Sequence, residues 1–379
     1  MRYKLSDLFE LQMGKTPSRN NPNYWNSNDY SWVSISDMSS YDKYVSGTKE
    51  YISERAVKES GIKTIPANTV IMSFKLSIGK TAITTGPIFS NEAIMAFIDK
   101  KTIAIDPQYI FYLFSGKDWD EGSNKAVMGK TLNKATLSNI EVDIPGLDIQ
   151  KERIEKLNKI SILISDKKQQ LNQLDELIKA RFVEMFGDKH TNDKGWEVEA
   201  LGECATFSNG KAHEQVVDEN GAYTLITSKA IASDLKDVRH TNSLLSPLNI
   251  NDIAMVMSDV PNGRALAKCT LINENAKYTL NQRICSFSNY NFNPVFFYYI
   301  LNRHPYFLAF NNGNSQTNLR KEDILKCKII APPVNLQNKF ADFVARVDKS
   351  KFALSNKLAV CNFYIRLIHD RVMHGRINL

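Results

Sequence analysis

Cysteine is scarce in this chain of 379 residues, and its distribution excludes a fold held together by disulfides or by a zinc cluster. The five cysteines all lie in the second half of the chain and form no CxxC pair: Cys204, Cys269, Cys285, Cys327 and Cys361. A disulfide framework or a zinc cluster needs paired, regularly spaced cysteines. We therefore expect buried, reduced thiols and no metal site.

Long apolar runs are also missing. The most apolar window, residues 294–310, is interrupted by Asn302, Arg303 and His304 and falls short of the roughly 20 residues of a membrane span. The first ten residues, MRYKLSDLFE, carry charges where a signal peptide needs an apolar stretch. The sequence therefore predicts a cytoplasmic protein with no membrane partner.

Glycine-rich nucleotide-binding motifs are absent as well. No two glycines are separated by a single residue, and neither GxxxxGKS nor GxxxxGKT occurs, which excludes the common backbone cradles for dinucleotides and triphosphates. The tetrapeptide NPNY (residues 21–24) resembles the NPPY of amino-methyltransferases, but its third residue is Asn, and we interpret it as a turn. The sequence predicts no catalytic set and no cofactor site in this chain.

The positive charge of the chain is unevenly distributed. There are 48 Lys+Arg against 41 Asp+Glu, a net charge of +7, in an otherwise ordinary globular composition with 43% hydrophobic residues. Residues 1–145 sum to +1, 146–190 to +1, 191–332 to 0 and 333–379 to +5. We therefore expect the C-terminal segment to lie beside nucleic acid or an acidic partner, and the globular segments to depend on a few placed cations.

The clearest organisational signal is an internal repeat. Residues 106–157 align with residues 293–344 at a constant offset of 187, which matches Tyr112 with Tyr299, Leu132 with Leu319, Lys134 with Lys321, Leu137 with Ile324, Pro145 with Pro332 and Gln150 with Gln337. Upstream the offset varies, and the matched pairs are Gly14–Lys15 with Gly210–Lys211, Gly79–Lys80 with Gly263–Arg264, and Asn91–Glu92 with Asn281–Gln282. Varying offsets place insertions in loops, so each copy is predicted to be a globular segment followed by a helix.

Each globular segment mixes strand and helix patterns. The first has strand-like residues at 31–36, 69–74 and 94–98 and a helical pattern at 109–114. The second has strand-like residues at 222–227, 253–258 and 284–287 and a helical pattern at 295–301. We predict an α+β fold in four segments: residues 1–145 (the first head), 146–190 (the central helix), 191–332 (the second head) and 333–379 (the distal helix).

The two helical segments carry apolar stripes. Residues 150–186 contain neither Pro nor Gly, their apolar residues recur at steps of three and four, and the residues after Pro332 and Pro333 repeat this pattern. At ~1.5 Å per residue the central helix is roughly 54 Å long. The two helices most simply pack as a long antiparallel, coiled-coil-like pair with pseudo-twofold symmetry and a head at each end. The predicted seam residues are Leu157, Ile164, Leu171, Leu174, Ile178, Phe182, Phe340, Phe343, Val347, Leu354 and Leu358.

Several motifs resemble those of type I restriction-modification specificity subunits. The first head contains GKTPSRNNPNYW (14–25), YSWVSISDM (30–38), IPANTVIMSFKLSIGKTAI (65–83) and SNEAIMAF (90–97), which resemble a target-recognition domain of that family. LIKARFVEMFGD (177–188) looks like the end of the family's central conserved helix. The second head departs from the pattern, because Ala212 and His213 replace Thr16 and Pro17, and we expect it to have a different DNA target.

The resemblance implies a DNA-binding subunit that does no chemistry itself. Each target-recognition domain would read one half of a split, asymmetric sequence in double-stranded DNA, and the helical pair would fix the length of the unread spacer. Two methyltransferase (modification) subunits would supply S-adenosylmethionine chemistry on adenine. Two restriction-translocase subunits could join them.

Loop residues with cationic, hydroxyl or amide side chains are the candidates for DNA contacts, because these groups bind phosphates and base edges in the major groove. In the first head they are Lys15, Thr16, Ser18, Arg19, Ser73, Lys75, Lys80, Lys130 and Thr131. In the second they are Lys211, His213, Ser258, Asn262, Arg264, Asn312, Asn314 and Gln316. For any one of these residues an ordinary solvated loop position is the alternative that the sequence favours, and Asn91 and Asn281 are interpreted as structural caps.

Two other classes of function stay open from the residues alone. One is a structural adaptor with two ligand-binding heads on a helical rod, which nothing in the composition excludes. The other, a self-contained enzyme, lacks the motifs that it would need.

Overall fold

The computed structural model describes residues 1–25, 27–75, 77–117, 119, 132–261, 263–311, 313 and 315–374, with side chains of the last helix as far as residue 368. The chain folds as two compact units, Met1–Lys168 with Asn356–Leu379, and Gln169–Ser355. Each unit combines one head with one segment of each long helix. The predicted α+β fold, with a repeated globular part and two long helices, is confirmed.

The first head alternates short strands with short helices. Its strands are β1 (Arg2–Lys4), β2 (Phe9–Met13), β3 (Tyr30–Val33), β4 (Glu50–Ile52), β5 (Val70–Ser73), β6 (Thr81–Ile83), β7 (Phe89–Ser90), β8 (Ile94–Asp99) and β9 (Glu141–Asp143). Its helices are α1 (Leu5–Leu8), α2 (Ile35–Met38), α3 (Glu54–Ser60), α4 (Pro107–Gly116) and α5 (Lys134–Ser138), and Pro22–Tyr24 form a 3-10 turn.

The central helix and the second head follow in the same manner. The central helix is α6 (Leu147–Phe186). The strands of the second head are β10 (Val198–Ala200), β11 (Thr206–Asn209), β12 (Tyr223–Ile226), β13 (Arg239–Thr241), β14 (Pro247–Leu248), β15 (Ile253–Val256), β16 (Ser258–Asp259), β17 (Cys269–Leu271), β18 (Tyr278–Leu280), β19 (Ile284–Ser288), β20 (Thr317–Asn318) and β21 (Lys328–Ile330). Its helices are α7 (Leu201–Cys204), α8 (Ser228–Ala232), α9 (Pro294–Leu301), α10 (Pro305–Leu308) and α11 (Lys321–Leu325), with a 3-10 turn at Glu214–Val216; the distal helix is α12 (Val334–His374).

The two heads share one sheet topology. A four-stranded sheet has the order β2-β8-β5-β6 in the first head and β11-β19-β15-β17 in the second. A second sheet has the order β4-β3-β7 in the first head and β13-β12-β18-β14 in the second, and its β3–β7 and β12–β18 pairs are parallel. A short antiparallel pair, β1–β9 or β10–β21, completes each head, and the second head also contains the β16–β20 pair, whose β20 counterpart at residues 130–131 of the first head lies outside the described residues.

The four-stranded sheet is buried on both faces, which explains why its central strands have continuous apolar sequences. In β5, Val70 and Met72 belong to one core cluster while Ile71 belongs to another on the opposite face. Successive side chains of a strand point to opposite faces, so a doubly covered strand needs apolar residues at every position. In β15 of the second head, Ile253 and Met255 face one cluster and Ala254 the other.

A buried glutamine joins each long helix to its head. The side-chain oxygen of Gln150 accepts a hydrogen bond from the Asp106 amide at 2.9 Å, and its amide donates to the Pro145 carbonyl at 2.9 Å. In the second copy Gln337 accepts from the Asn293 amide at 2.8 Å and donates to the Pro332 carbonyl at 2.7 Å. These matched bonds explain why the repeat keeps a constant register over this region.

The helix segments run antiparallel within the second unit. Asp175 of α6 pairs with Lys351 of α12 at 2.6 Å, whereas Phe182 contacts Phe340 with ring centroids 5.4 Å apart. The predicted seam residues Leu157, Ile178, Phe182, Phe340 and Val347 are buried, and the other predicted seam residues are half-buried: Ile164, Leu171, Leu174, Phe343, Leu354 and Leu358. In the first unit Ile365 and Ile368 pack against the head core that contains Leu157.

Four of the five cysteines are buried, as expected, and Cys361 is half-buried; all five are free thiols. In the part of the chain that the structure describes, no helix is both long and apolar enough to span a membrane.

An aromatic cluster holds the second unit together at the end of α6. Phe182 stacks on Phe296 at 5.9 Å and meets Phe340 edge-on, and Phe186 contacts both of the same rings.

We predict that Phe182→Ala lowers the local free energy of unfolding by about 3–5 kcal/mol, because it removes a large buried ring from a close-packed site. Hydrogen exchange of the α6 and α12 peptides in this unit measures the change. Val183→Ala, at a neighbouring side chain that is 55% exposed, is the control and should change stability by less than about 0.5 kcal/mol; equal exchange in the two variants would contradict the packing role.

Candidate nucleic-acid interface

A close backbone contact, which we call the first latch, joins residues 14–15 to residues 90–91 in the first head. The Gly14 amide donates to the Ile94 carbonyl at 3.1 Å, and the Lys15 amide donates to the Ser90 carbonyl at 2.8 Å. A Cβ atom at Gly14 would lie 2.2 Å from the carbonyl oxygen of Asn91. Only glycine permits this approach, which ties the four-stranded sheet to the sheet that contains β7.

The second head contains the same contact, the second latch, between residues 210–211 and 280–281. The Gly210 amide donates to the Ile284 carbonyl at 2.9 Å, and the Lys211 amide donates to the Leu280 carbonyl at 3.0 Å. A Cβ atom at Gly210 would lie 1.9 Å from the carbonyl oxygen of Asn281. The backbone geometry of the latch is therefore common to both heads.

The side chains at the first latch form a short polar chain. The Thr16 hydroxyl donates to the carboxylate of Glu92 and accepts from the side-chain amide of Asn91 at 3.1 Å. Asn91 also accepts from the Ala93 amide at 2.8 Å, as expected of a cap. Lys15 is exposed, and its ammonium donates to the Ser60 carbonyl.

Arg19 lies on an aromatic surface beside the first latch. Its guanidinium is 3.7 Å from the centre of the Trp25 ring and forms a two-pronged ion pair with Glu50. This bond raises the pKa of Arg19 above its ordinary value, and the nearby charge of Glu92 acts in the same direction. The Ser18 carbonyl accepts from the Trp25 indole at 3.1 Å, so the loop is held in one arrangement.

The loop after β5 presents a second set of predicted residues. Lys80 is exposed, and the Lys75 ammonium lies 5.5 Å from the centre of the Phe74 ring. Ser73 is fully buried, donates to the Ser77 carbonyl and accepts from the Lys80 amide at 3.2 Å. The geometry supports a loop-shaping role for Ser73, and its predicted contact with DNA stays a prediction.

His213 is fully buried at the second latch. Its Nδ1 atom lies 2.7 Å from the Lys211 carbonyl, and its Nε2 atom lies 3.0 Å from the Thr279 hydroxyl. The His213 amide donates to the side-chain oxygen of Asn281 at 3.3 Å. The imidazole is thus internal to the head and supports the loop, whereas the neighbouring Lys211 side chain is exposed.

Three predicted residues follow β15 or precede β20 in the second head. Gln316 is exposed and donates to the Ser258 hydroxyl at 2.7 Å, while Ser258 is itself 8% exposed. Arg264 is exposed, and its carbonyl accepts from Arg303 at 2.9 Å. Five further predicted residues, Lys130, Thr131, Asn262, Asn312 and Asn314, lie outside the described residues.

A groove of about 270 Å³ borders the second latch. Its lining includes Glu214, Arg239, Gln282 and Arg283. Arg283 has a φ of 66°, a left-handed backbone conformation that costs a non-glycine residue on the order of 1–3 kcal/mol. The strained backbone directs an exposed cation beside the groove.

Comparison with known proteins identifies the family. A model of the type I restriction modification DNA specificity domain matches residues 1–176 and again residues 193–359. The chain belongs to this family. The two matched segments also confirm the internal repeat that the sequence predicted.

Curated members of the family are similar over part of their length. The chain is 29% identical over 226 residues to the type I restriction enzyme MjaIX specificity subunit of Methanocaldococcus jannaschii, covering 55% of this chain and 52% of that protein. It is 27% identical over 180 residues to the EcoprrI specificity subunit of Escherichia coli, covering 43% of this chain and 42% of that protein. The matched regions thus span about half the length of these relatives.

Solved structures of the family share the fold over the whole chain. The S subunit of a type I restriction-modification system from M. genitalium superposes with a TM-score of 0.50 at 12% identity, covering 100% of this chain and 96% of that one. A chain from a study of complex assembly and conformational transition of the type I R-M system gives a TM-score of 0.55 at 14% identity, covering 100% and 98%.

In this specificity-family chain, some of the predicted DNA-contact residues lie close together at the latches. Two further exposed residues at the latches were not among those predictions. Thr16 lies at the first latch and His213 at the second, whereas Ser258 and Gln316 meet at a separate point of the second head. Sequence reasoning missed Glu92 and Gln282, which follow the latch asparagines and are exposed. The matched pairs of the repeat already contained both residues and were the signal that could have found them.

We predict that Gly14→Ala and Gly210→Ala each destabilise their own unit by about 1–3 kcal/mol, because the added methyl group overlaps backbone atoms that cannot move away cheaply. In scanning calorimetry the affected transition should fall by about 2–4 °C for each kcal/mol. Gly86→Ala is the matched control, since a Cβ at Gly86 meets nothing within 4 Å. A latch variant that melts like Gly86→Ala would show that the close approach is dispensable.

Proposed function

We propose that this chain is the non-catalytic DNA sequence-specificity subunit of a type I restriction-modification complex, and that it reads a bipartite, asymmetric target with one head for each half-site. The observation that carries the proposal is the repeated latch with different side chains. Both heads have the same backbone frame, but Thr16 bonds to Glu92 at the first latch, whereas Ala212 and Gln282 take these two positions in the second. One frame with two sets of polar groups suits the recognition of two different sequences.

Exposed or half-buried cations around these loops suit contact with DNA phosphates. Among the residues that the structure describes, Lys75, Lys80, Lys211 and Arg264 form no ion pair with a carboxylate. An unpaired cation can bind a phosphate without first breaking an internal bond. Arg19 differs, because a phosphate would have to displace Glu50.

The proposal includes partners that carry the chemistry. Two methyltransferase subunits would bind this chain and use S-adenosylmethionine to methylate adenine in the recognised sequence, and two restriction-translocase subunits could add cleavage. The names of the similar specificity subunits support this division of labour. S-adenosylmethionine would bind to the methyltransferase partner. This chain would bind no cofactor.

The direct test is co-expression of this chain with its methyltransferase partner in a host that lacks both, followed by long-read sequencing that detects methylated adenine. We expect methylation at a motif of two short specified segments separated by an unread spacer of fixed length. The methyltransferase expressed alone is the control and should leave no such motif. A continuous motif, or the same motif without this chain, would overturn the proposal.

We predict that Lys80→Gln and Arg264→Gln weaken DNA binding by the complex about equally for all sequences. Each removes one phosphate contact, so the slope of log K against log salt concentration should become shallower by about 1. Titration of a fluorescent duplex at several salt concentrations measures this slope. The control is Lys101→Gln, because the Lys101 side chain is 82% exposed but forms an ion pair with Asp99, the last residue of β8. A control that changes the slope as much as the two test variants would contradict the assignment.

A further inference from the structure

The residue after each latch asparagine occupies a distinctive position. Glu92 follows Asn91 in the first head, Gln282 follows Asn281 in the second, and both side chains are exposed. The strand that starts two residues later, β8 or β19, is central to the four-stranded sheet. A side chain at this position is therefore carried by a fixed backbone while its polar end faces outward.

The asparagines themselves are occupied inside the heads. Asn91 accepts from the Ala93 amide and donates to Thr16, and Asn281 accepts from the His213 amide. Since these bonds shape the latch, the next residue is the first side chain that can meet a ligand without disturbing the frame. At this position the first head has a carboxylate, Glu92, and the second head has an amide, Gln282.

We infer that Glu92 and Gln282 are base-reading residues of the first and second heads, Glu92 for cytosine and Gln282 for adenine. The inference rests on the proposed function. A carboxylate accepts hydrogen bonds only and so matches the exocyclic amine of cytosine in the major groove. A glutamine amide both donates and accepts, and it pairs in two-pronged fashion with N6 and N7 of adenine.

The surroundings of Glu92 prepare its carboxylate for this role. The Thr16 hydroxyl donates to its Oε2 atom, and Thr16 is held in turn by Asn91. Glu92 also lies close enough to Arg19 for the two charges to interact, so the cation offsets repulsion between the carboxylate and DNA phosphates. Because the half-buried Thr16 and Asn91 side chains fix one carboxylate oxygen, Glu92 loses less conformational freedom on binding.

Gln282 is prepared in a comparable way. Its Nε2 atom donates to the Glu214 carboxylate at 2.7 Å, which fixes the direction of the amide. Arg239 and Arg283 line the same groove and provide cations for the phosphates beside the base. The two heads thus have the same arrangement of a reader, a partner that orients it and nearby cations, built from different residues.

The test is a reciprocal exchange, Glu92→Gln and Gln282→Glu, in the complex with the methyltransferase, with methylated adenines mapped by long-read sequencing. We expect Glu92→Gln to shift one position of one half-site from cytosine towards adenine, and Gln282→Glu to shift one position of the other half-site from adenine towards cytosine. The change in base preference should be on the order of ten- to a hundredfold. In each case the other half-site keeps its sequence.

Glu141→Gln in β9 and Glu199→Gln in β10 are the matched controls, since both side chains are exposed and lie in the short antiparallel pairs outside the latches. Wild-type complex that gives no bipartite motif would overturn the proposed function and this inference with it. A wild-type bipartite motif that both exchange variants retain unchanged would overturn the inference alone. An exchange variant that loses the methylation motif at both half-sites and also has a lowered melting temperature would assign these residues a structural role. That result would also overturn the inference.

Discussion

Each head depends on one close backbone approach, in which a glycine lies directly against the carbonyl group of an asparagine. A methyl group at Gly14 or Gly210 would lie 2.2 Å or 1.9 Å from that carbonyl oxygen, far inside van der Waals contact. The same few residues bond to both sheets of the head, through Ile94 and Ser90 in the first. Because backbone atoms make these bonds, the same bonds occur in both heads although the neighbouring loops carry different side chains.

This shared backbone frame would allow a duplicated domain to acquire two specificities, as the proposed function requires. Ala212 and Gln282 in the second head take the positions of Thr16 and Glu92 in the first, and the latch keeps its backbone geometry. The helices are fixed to the heads by another contact that both copies share, made by the buried side chain of Gln150 or Gln337. Rigid attachment of varying loops is the common structural solution for recognition.

The sequence alone predicted the features that follow from periodicity and local chemistry. The strand patterns at 69–74, 94–98, 253–258 and 284–287 and the helical patterns at 109–114 and 295–301 follow from apolar spacing, and the structure has β5, β8, β15, β19, α4 and α9 there. Burial of the Ser73 and His213 side chains was not predictable, because serine is mostly exposed in folded proteins and histidine is intermediate. The parallel β3–β7 pair was not predictable because it joins strands far apart in the chain. Glu92 was not among the predicted contacts because a carboxylate repels DNA phosphates unless neighbouring groups orient and screen it.

The central claim, that each latch places its own head on its own half-site, is tested most directly by hydrogen exchange of the complex with three duplexes. One carries the full target, and the other two carry only the first or only the second half-site. The account predicts protection of peptides 14–19 and 88–94 by one half-site duplex, of peptides 210–216 and 278–284 by the other, and of all four by the full target. Protection of both latches by a single half-site, or protection of neither by the full target, would contradict it.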